Sequence, residues 1–446
     1  MARPTALSGF PEWLPADQIV QQQVIETIRR TYELNGFTPI TTRSVEPRSQ
    51  LAGDADANKE IYLLRRINAA QGDEDAGPER QLGLHFDLTV PLARYVVENA
   101  GKLTFPFRRY QIQPAWRGER PQEGRFREFI QADIDVVGDG ELPFHYDIEM
   151  PLVVGEALSA LPVPAVRIHA NNRKLAEGFY RGLGLADVPA ALREVDKLDK
   201  IGPDGVSRTL VEIAGASDAQ AKACLQLAEI SSDDLSFVDQ VRSLGVTDPM
   251  LDEGLDELAQ IVDAAREHTP GLVRADLRIA RGLDYYTGSI YETFLVGHED
   301  VGSIASGGRY DNLASVGERR YPGVGMSVGV TRLLSRVFGA RLVEASRSVP
   351  TAVLIALVDE DSRPAADRLA RTFRQRGIAT EVAPSAAKFG KQIRYADRRG
   401  IPYVWFSGRD DEPHQVKDIR SGEQVDADPE TWTPPIADAK PEIRPT

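Results

Sequence analysis

Apolar positions along the chain switch several times between helical and strand spacing, and these switches organise it. Ile19, Val20, Val24, Ile28 and Tyr32 recur at helical spacing until Asn35-Gly36 ends the run. A strand is predicted over 37–42, then a polar, acidic loop through 53–80 and a strand-like 83–88. Thr89 and Pro91 open a helix that carries Leu92, Tyr95 and Val96. Residues 107–137 predict a long-looped antiparallel hairpin whose turn chemistry comes from Gly118, Pro121 and Gly124. Strand side chains alternate faces, so Arg125, Arg127, Phe129, Gln131, Asp133 and Asp135 share one face if no bulge intervenes. After a helix around 148–158 the texture becomes nearly all helical from about 170 to 270, with a stripe of Leu251, Leu255, Leu258, Ile261 and Val262. Strand signals return at 275–279 and 289–296, so a sheet begun before the helical stretch is completed after it. From 349 strands and helices alternate as a compact α/β unit, and 441–446 read as a loose tail.

Composition and charge narrow the function. A chain of 446 residues, 42% hydrophobic and 27% charged, is a soluble globular protein of several domains. A net charge of -14 excludes a generally basic nucleic-acid binder, so a nucleic acid could be held only by local basic patches. Against that acidity the hairpin collects six arginines, Arg108, Arg109, Arg117, Arg120, Arg125 and Arg127, which asks for an anionic ligand. A solvated hairpin with surface arginines is the plainer alternative. The single cysteine, Cys224, excludes an internal disulfide framework and fits a reducing compartment. The six histidines lack HxxxH spacing, which argues against an all-protein metal site. With no leader pattern and no apolar run of membrane length, a cytoplasmic location without membrane contact is expected.

Four stretches hold more polar groups than structure needs. Asp87 and Thr89 stand at a strand-to-helix transition, where a helix cap is by itself the favoured explanation. The hairpin face is the second. The third, 281–288, packs Arg281, Asp284, Tyr285 and Tyr286 between glycines, and the fourth joins 306–311 to the glycine-rich 323–332. That glycine run lacks the strand-turn-helix setting of a dinucleotide loop and the lysine of a phosphate loop. Small residues permitting close packing against a ligand explain it better.

In these residues the chain resembles the class II aminoacyl-tRNA synthetases. The hairpin is similar to their motif 2 and 323–332 to motif 3, while ArgGlyLeuAspTyrTyr and GlyGlyArgTyrAsp resemble the two signature peptides of the histidyl-tRNA synthetases. LysPheGlyLysGlnIleArgTyrAla and ValLysAspIleArgSerGlyGluGln are similar to that family's anticodon-binding domain. The resemblance implies an α+β fold: an antiparallel sheet with helices over 1–168 and 275–342, a helical insertion at 169–274, and an α/β anticodon-binding domain at 349–446. It implies activation of L-histidine by ATP, with Mg2+ whose ligands are unknown, transfer to histidine tRNA, and a homodimer. By the same likeness Arg117, Arg281 and Arg332 are catalytic, and Arg117, Arg125, Arg127, Phe129 and Arg332 bind ATP. Histidine falls to Asp87, Thr89, Gln131, Asp135, Arg281, Tyr285, Tyr286 and Tyr310, with Asp135 left buried and unpaired when the ring nitrogens are missing. Arg120, Gln122, Lys388, Lys391 and Arg394 face the RNA.

Three positions depart from the pattern. Arg43 stands where motif 1 carries proline, Thr331 where motif 3 carries glutamate, and His85 where an arginine is expected; the AspLeuThr form with Asp135 resembles the eukaryotic-like branch. Two rival readings are a non-catalytic histidine-binding paralogue and an RNA-binding sensor without catalysis. The paralogue ordinarily loses the arginines, and Arg117, Arg281 and Arg332 are all present.

Overall fold

The hairpin takes its place in a nine-stranded sheet. In spatial order its strands are Thr38–Pro39, Phe107–Trp116, Glu128–Val137, Arg319–Gly329, Ala305–Val316, Ser289–Leu295, Val166–Asn172, Val273–Asp276 and Ser231–Ser232. The six strands from Phe107–Trp116 to Val166–Asn172 pair antiparallel throughout, as the resemblance implies for the sheet and the sequence pattern for its hairpin. The structure, a computed structural model, describes residues 5–51, 60–66, 77, 79–279, 285–408 and 412–446. The chain divides into two compact units, one of 1–11 with 25–336 and one of 12–24 with 337–446.

The predicted boundary of the helical stretch changes. Val166–Asn172 is a strand between two others of the sheet, so the helical run opens at Arg173 and not at 169. Its short alternation, ValArgIleHisAla, lies directly against the helix Arg173–Gly182, and the helical texture hides it. The strand predicted over 37–42 is only Thr38–Pro39.

Two glycines explain how the helical run packs. Helices Arg173–Gly182 and Pro249–His268 touch so closely that a Cβ on Gly178 would lie 2.2 Å from the Leu251 amide nitrogen. Reciprocally, a Cβ on Gly254 would lie 2.3 Å from that of Leu175. Neither obstacle is a flexible side-chain tip, so the helices must separate to admit a methyl group. Gly178→Ala should therefore destabilise the protein by about 1–3 kcal/mol in urea unfolding, despite alanine's better helix propensity. A raised midpoint would show that the helices are not held this tightly.

The second unit carries a five-stranded sheet in the order Thr380–Val382, Val353–Ile355, Tyr403–Phe406, Gln415–Asp418 and Gln424–Asp426. Its first two pairings are parallel and the others antiparallel. Trp405 is fully buried in its core, with Phe373 and Trp432 edge-on to the indole. The tail is not loose. Ile443–Pro445 pairs antiparallel with Val343–Ala345, which gives both short segments a backbone partner that neither has within its own neighbourhood.

Candidate active site

Antiparallel register builds the floor of the site. Asp135 stands opposite Arg109 on one side and Gly325 on the other, and Asp133 opposite Gln111 and Ser327. Arg109, fully buried, places Nη2 2.6 Å from Asp135 Oδ2, and the Tyr310 hydroxyl donates to Oδ1 at 2.7 Å. The expectation that Asp135 is unpaired without a ligand is thus corrected: both oxygens already have partners. Arg109 also leaves the group of arginines that the charge pattern aimed at an external anion. Arg108 leaves it too, held by Glu149 and the Asn35 carbonyl.

The glycine-rich run makes room for these side chains. A Cβ on Gly323 would lie 2.3 Å from the Tyr310 ring, and one on Gly325 would lie 2.2 Å from Asp135 Oδ1. Space, not a turn or a phosphate loop, is what the glycines supply. A small cavity of about 20 Å³ remains among Thr89, Asp133, Asp135, Tyr286 and Tyr310. Three carboxylates crowd this floor, and burial pushes Asp133 up to about 7 and both Asp87 and Asp135 up to about 6. Arg109 pulls each of them back only in part. Asp87 uses Oδ1 to accept from the Val90 amide, which satisfies one N–H of the first turn of the helix Thr89–Asn99. The Tyr285 ring stands edge-on to Tyr286.

A second cavity, of about 120 Å³, adjoins the first through Ser306 and Ser327. Arg117, Arg125, Arg332, Phe126, Phe129 and Gln131 are among its lining residues. Arg332 donates to the carbonyls of Gly124 at 2.7 Å and Ser303 at 2.6 Å, which fixes the guanidinium without neutralising it. Its burial, and after that the charges of Arg125 and Arg117, lower its proton affinity. Arg117 donates to the Phe86 carbonyl and lies over the Phe129 ring, 5.1 Å from its centre. Glu119 is the one carboxylate in the lining, 3.2 Å from Arg125 and 3.8 Å from Arg117. Three guanidiniums facing one carboxylate make a site for a polyanion beside a flat aromatic surface.

Arg127 is placed elsewhere. The strand begins only at Glu128, so alternation does not extend back to it. Its Nε donates to the Glu119 carbonyl, its stem packs against Gly9, and Phe126 takes a place in the lining. Arg120 and Gln122 are exposed in the loop between the hairpin strands, and Arg281 lies outside the described residues. On the helix Phe389–Arg399, Lys391, Arg394 and Arg398 are exposed, as is Lys388 just before it, whereas Arg399 is bound to Glu381.

The three departures have structural explanations. Thr331 accepts from the Ile130 amide at 2.8 Å through its hydroxyl oxygen, a bond between the motif 3 region and the hairpin. His85 is buried with Nε2 on the Pro114 carbonyl at 2.7 Å. Arg43 and Arg94 both bind the buried carboxylate of Glu46. Among the described residues no group of three or more His, Cys, Asp or Glu could hold a metal ion. No helix there is long and apolar enough to cross a membrane.

Sequence comparison finds that the profile described as histidyl-tRNA synthetase matches residues 9–333, and that of an anticodon binding domain 351–432. The chain is 58% identical to the histidine–tRNA ligase of Micrococcus luteus, over 99% of either chain. It is 55% identical to that of Bifidobacterium animalis subsp. lactis, over 97% of each. Among solved structures, histidyl-tRNA synthetase from Nostoc sp. PCC 7120 superposes with a TM-score of 0.84 at 34% identity, covering 96% of this chain and 97% of that one.

Proposed function

The chain belongs to the histidyl-tRNA synthetase family and is an ATP-dependent aminoacyl-tRNA ligase for histidine, and we propose that the two adjoining cavities hold the two small substrates side by side. The carrying observation is Arg117, which lines the arginine cavity and also a wider cleft beside Tyr286, Ser306 and Gly307. A guanidinium there can grip a carboxylate oxygen and the α-phosphate it attacks, holding both in line as charge builds. Arg332 and Arg125 take the remaining phosphates, and Phe129 takes the adenine face. The histidine ring goes to Asp135, which Arg109 keeps charged and Tyr310 orients, with Tyr286 at the other ring nitrogen. Arg281, by its place in the family's signature peptide, bridges carboxylate and phosphate.

Magnesium fits as a companion of the nucleotide. With Glu119 as the only lining carboxylate, the donors suit an ion held chiefly by phosphate oxygens and water. It would offset charge on the departing pyrophosphate. Arg120 and Gln122 are assigned to the acceptor end of histidine tRNA, and Lys388, Lys391 and Arg394 to its anticodon stem, because all five side chains are exposed. Catalytic segments at 1–168 and 275–342, the helical insertion, an anticodon-binding segment at 349–446, a homodimer and a cytoplasmic location complete the reading.

Histidine-dependent ATP–pyrophosphate exchange followed by charging of histidine tRNA tests it. Exchange and charging are both expected; a folded protein that exchanges nothing would refute the reading. Arg281→Ala should abolish exchange while histidine binding stays measurable, because the contribution of that cation falls in the transition state. Exchange at the parental rate would remove Arg281 from the mechanism.

A further inference from the structure

Beneath the two cavities, three buried acceptor atoms have no hydrogen-bond partner among the described residues: Asp87 Oδ2, Gln131 Oε1 and Asp133 Oδ1. Asp133 is 1% exposed and lines the small cavity. Such atoms are costly to leave bare, and within a binding pocket they mark where a ligand donates. They belong to one neighbourhood. Gln131 donates to Ser327, Ser327 and Asp133 line the small cavity together with Thr89, and Asp87 stands two residues before Thr89.

An ammonium group has three N–H donors and no acceptor. We propose that Asp133 is a further substrate-binding residue of this enzyme, completing with Asp87 and Gln131 a three-acceptor socket for the α-ammonium of histidine. Alternation along the strand puts Asp133 between Gln131, which reaches the phosphate side, and Asp135, one pleat deeper at the ring. Asp133 and Asp135 then follow the order of ammonium and imidazole in the amino acid. Arg109 is committed to Asp135, so Asp133 keeps its free oxygen for the ligand.

This inference rests on the histidine-activation reading, and a ligand pair separates the two. Titration calorimetry compares L-histidine with imidazole propanoate, which lacks only the amino group, on the parent protein and on Asp133→Asn. The variant should bind histidine roughly ten- to a hundredfold more weakly and imidazole propanoate within about twofold of the parent. Asp135→Asn, acting at the ring, should weaken both ligands. Equal losses for the two ligands in Asp133→Asn, or none for histidine, would overturn the role of Asp133 while parental exchange left the enzyme reading intact. A parent protein that binds no histidine would overturn both. If Asp133→Asn does not melt cooperatively, Asp133→Ser is read by the same criterion.

Discussion

Arg117→Ala should lower the rate of histidine-dependent pyrophosphate exchange by about 10²–10³-fold without unfolding the protein. Its stability role is small, since the side chain makes one hydrogen bond to the Phe86 carbonyl and only a long contact with Glu119. Its chemical role is large because it lines both the arginine cavity and the wider cleft beside Tyr286, Ser306 and Gly307, and charge develops there during adenylate formation. Arg117→Lys separates two contributions. A lysine keeps the charge but loses the planar fork, so it should recover part of the rate and not all of it. An alanine variant exchanging within about tenfold of the parent would mean that the phosphate is held by other groups.

Arg109→Met should destabilise the fold by about 3–5 kcal/mol at a pH near 8, and by much less near pH 5. Burial raises Asp87 and Asp135 to about 6 and Asp133 to about 7, above their unfolded values. The folded chain therefore holds protons that the unfolded chain has already released. The stability these groups confer is present at low pH and falls as pH rises toward those folded values. Arg109 opposes the fall by attracting all three carboxylates. Without it their affinities for protons rise further, and ionising them costs more. Urea titrations of parent and variant at the two pH values measure the difference, and an equal loss at both would show that packing of the side chain, not its charge, is what matters. Where the variant folds, its affinity for histidine should drop through misorientation of Asp135.

How much of this was legible beforehand depended on the range of the interaction. Local signals served well: Asn35-Gly36 closing the first helix, the hairpin with its loop, and the alternation that puts Gln131, Asp133 and Asp135 on one face. What escaped needed cross-strand register. Nothing near Arg109 says that Asp135 will stand opposite it, so a buried ion pair looked like one more arginine of an anion site. Arg127 escaped for the converse reason, because the strand stops one residue short and the face turns. The glycines of 323–329 were rightly read as small-residue packing, but their neighbours proved to be the protein's own phenol and carboxylate. Thr331 became intelligible only when Ile130, two hundred residues away in sequence, appeared beside it.

The pairing of Ile443–Pro445 with Val343–Ala345 sets an order of events during synthesis. The earlier strand emerges well before its partner. Until that partner emerges, Val343–Ala345 has an open edge, available to other chains, while the α/β sheet that lies between them in sequence can already form. The profile match ends at residue 432, and a protein shortened to that point would keep the edge open permanently. Aggregation of such a shortened chain, with its second sheet intact, is the outcome this seam foretells.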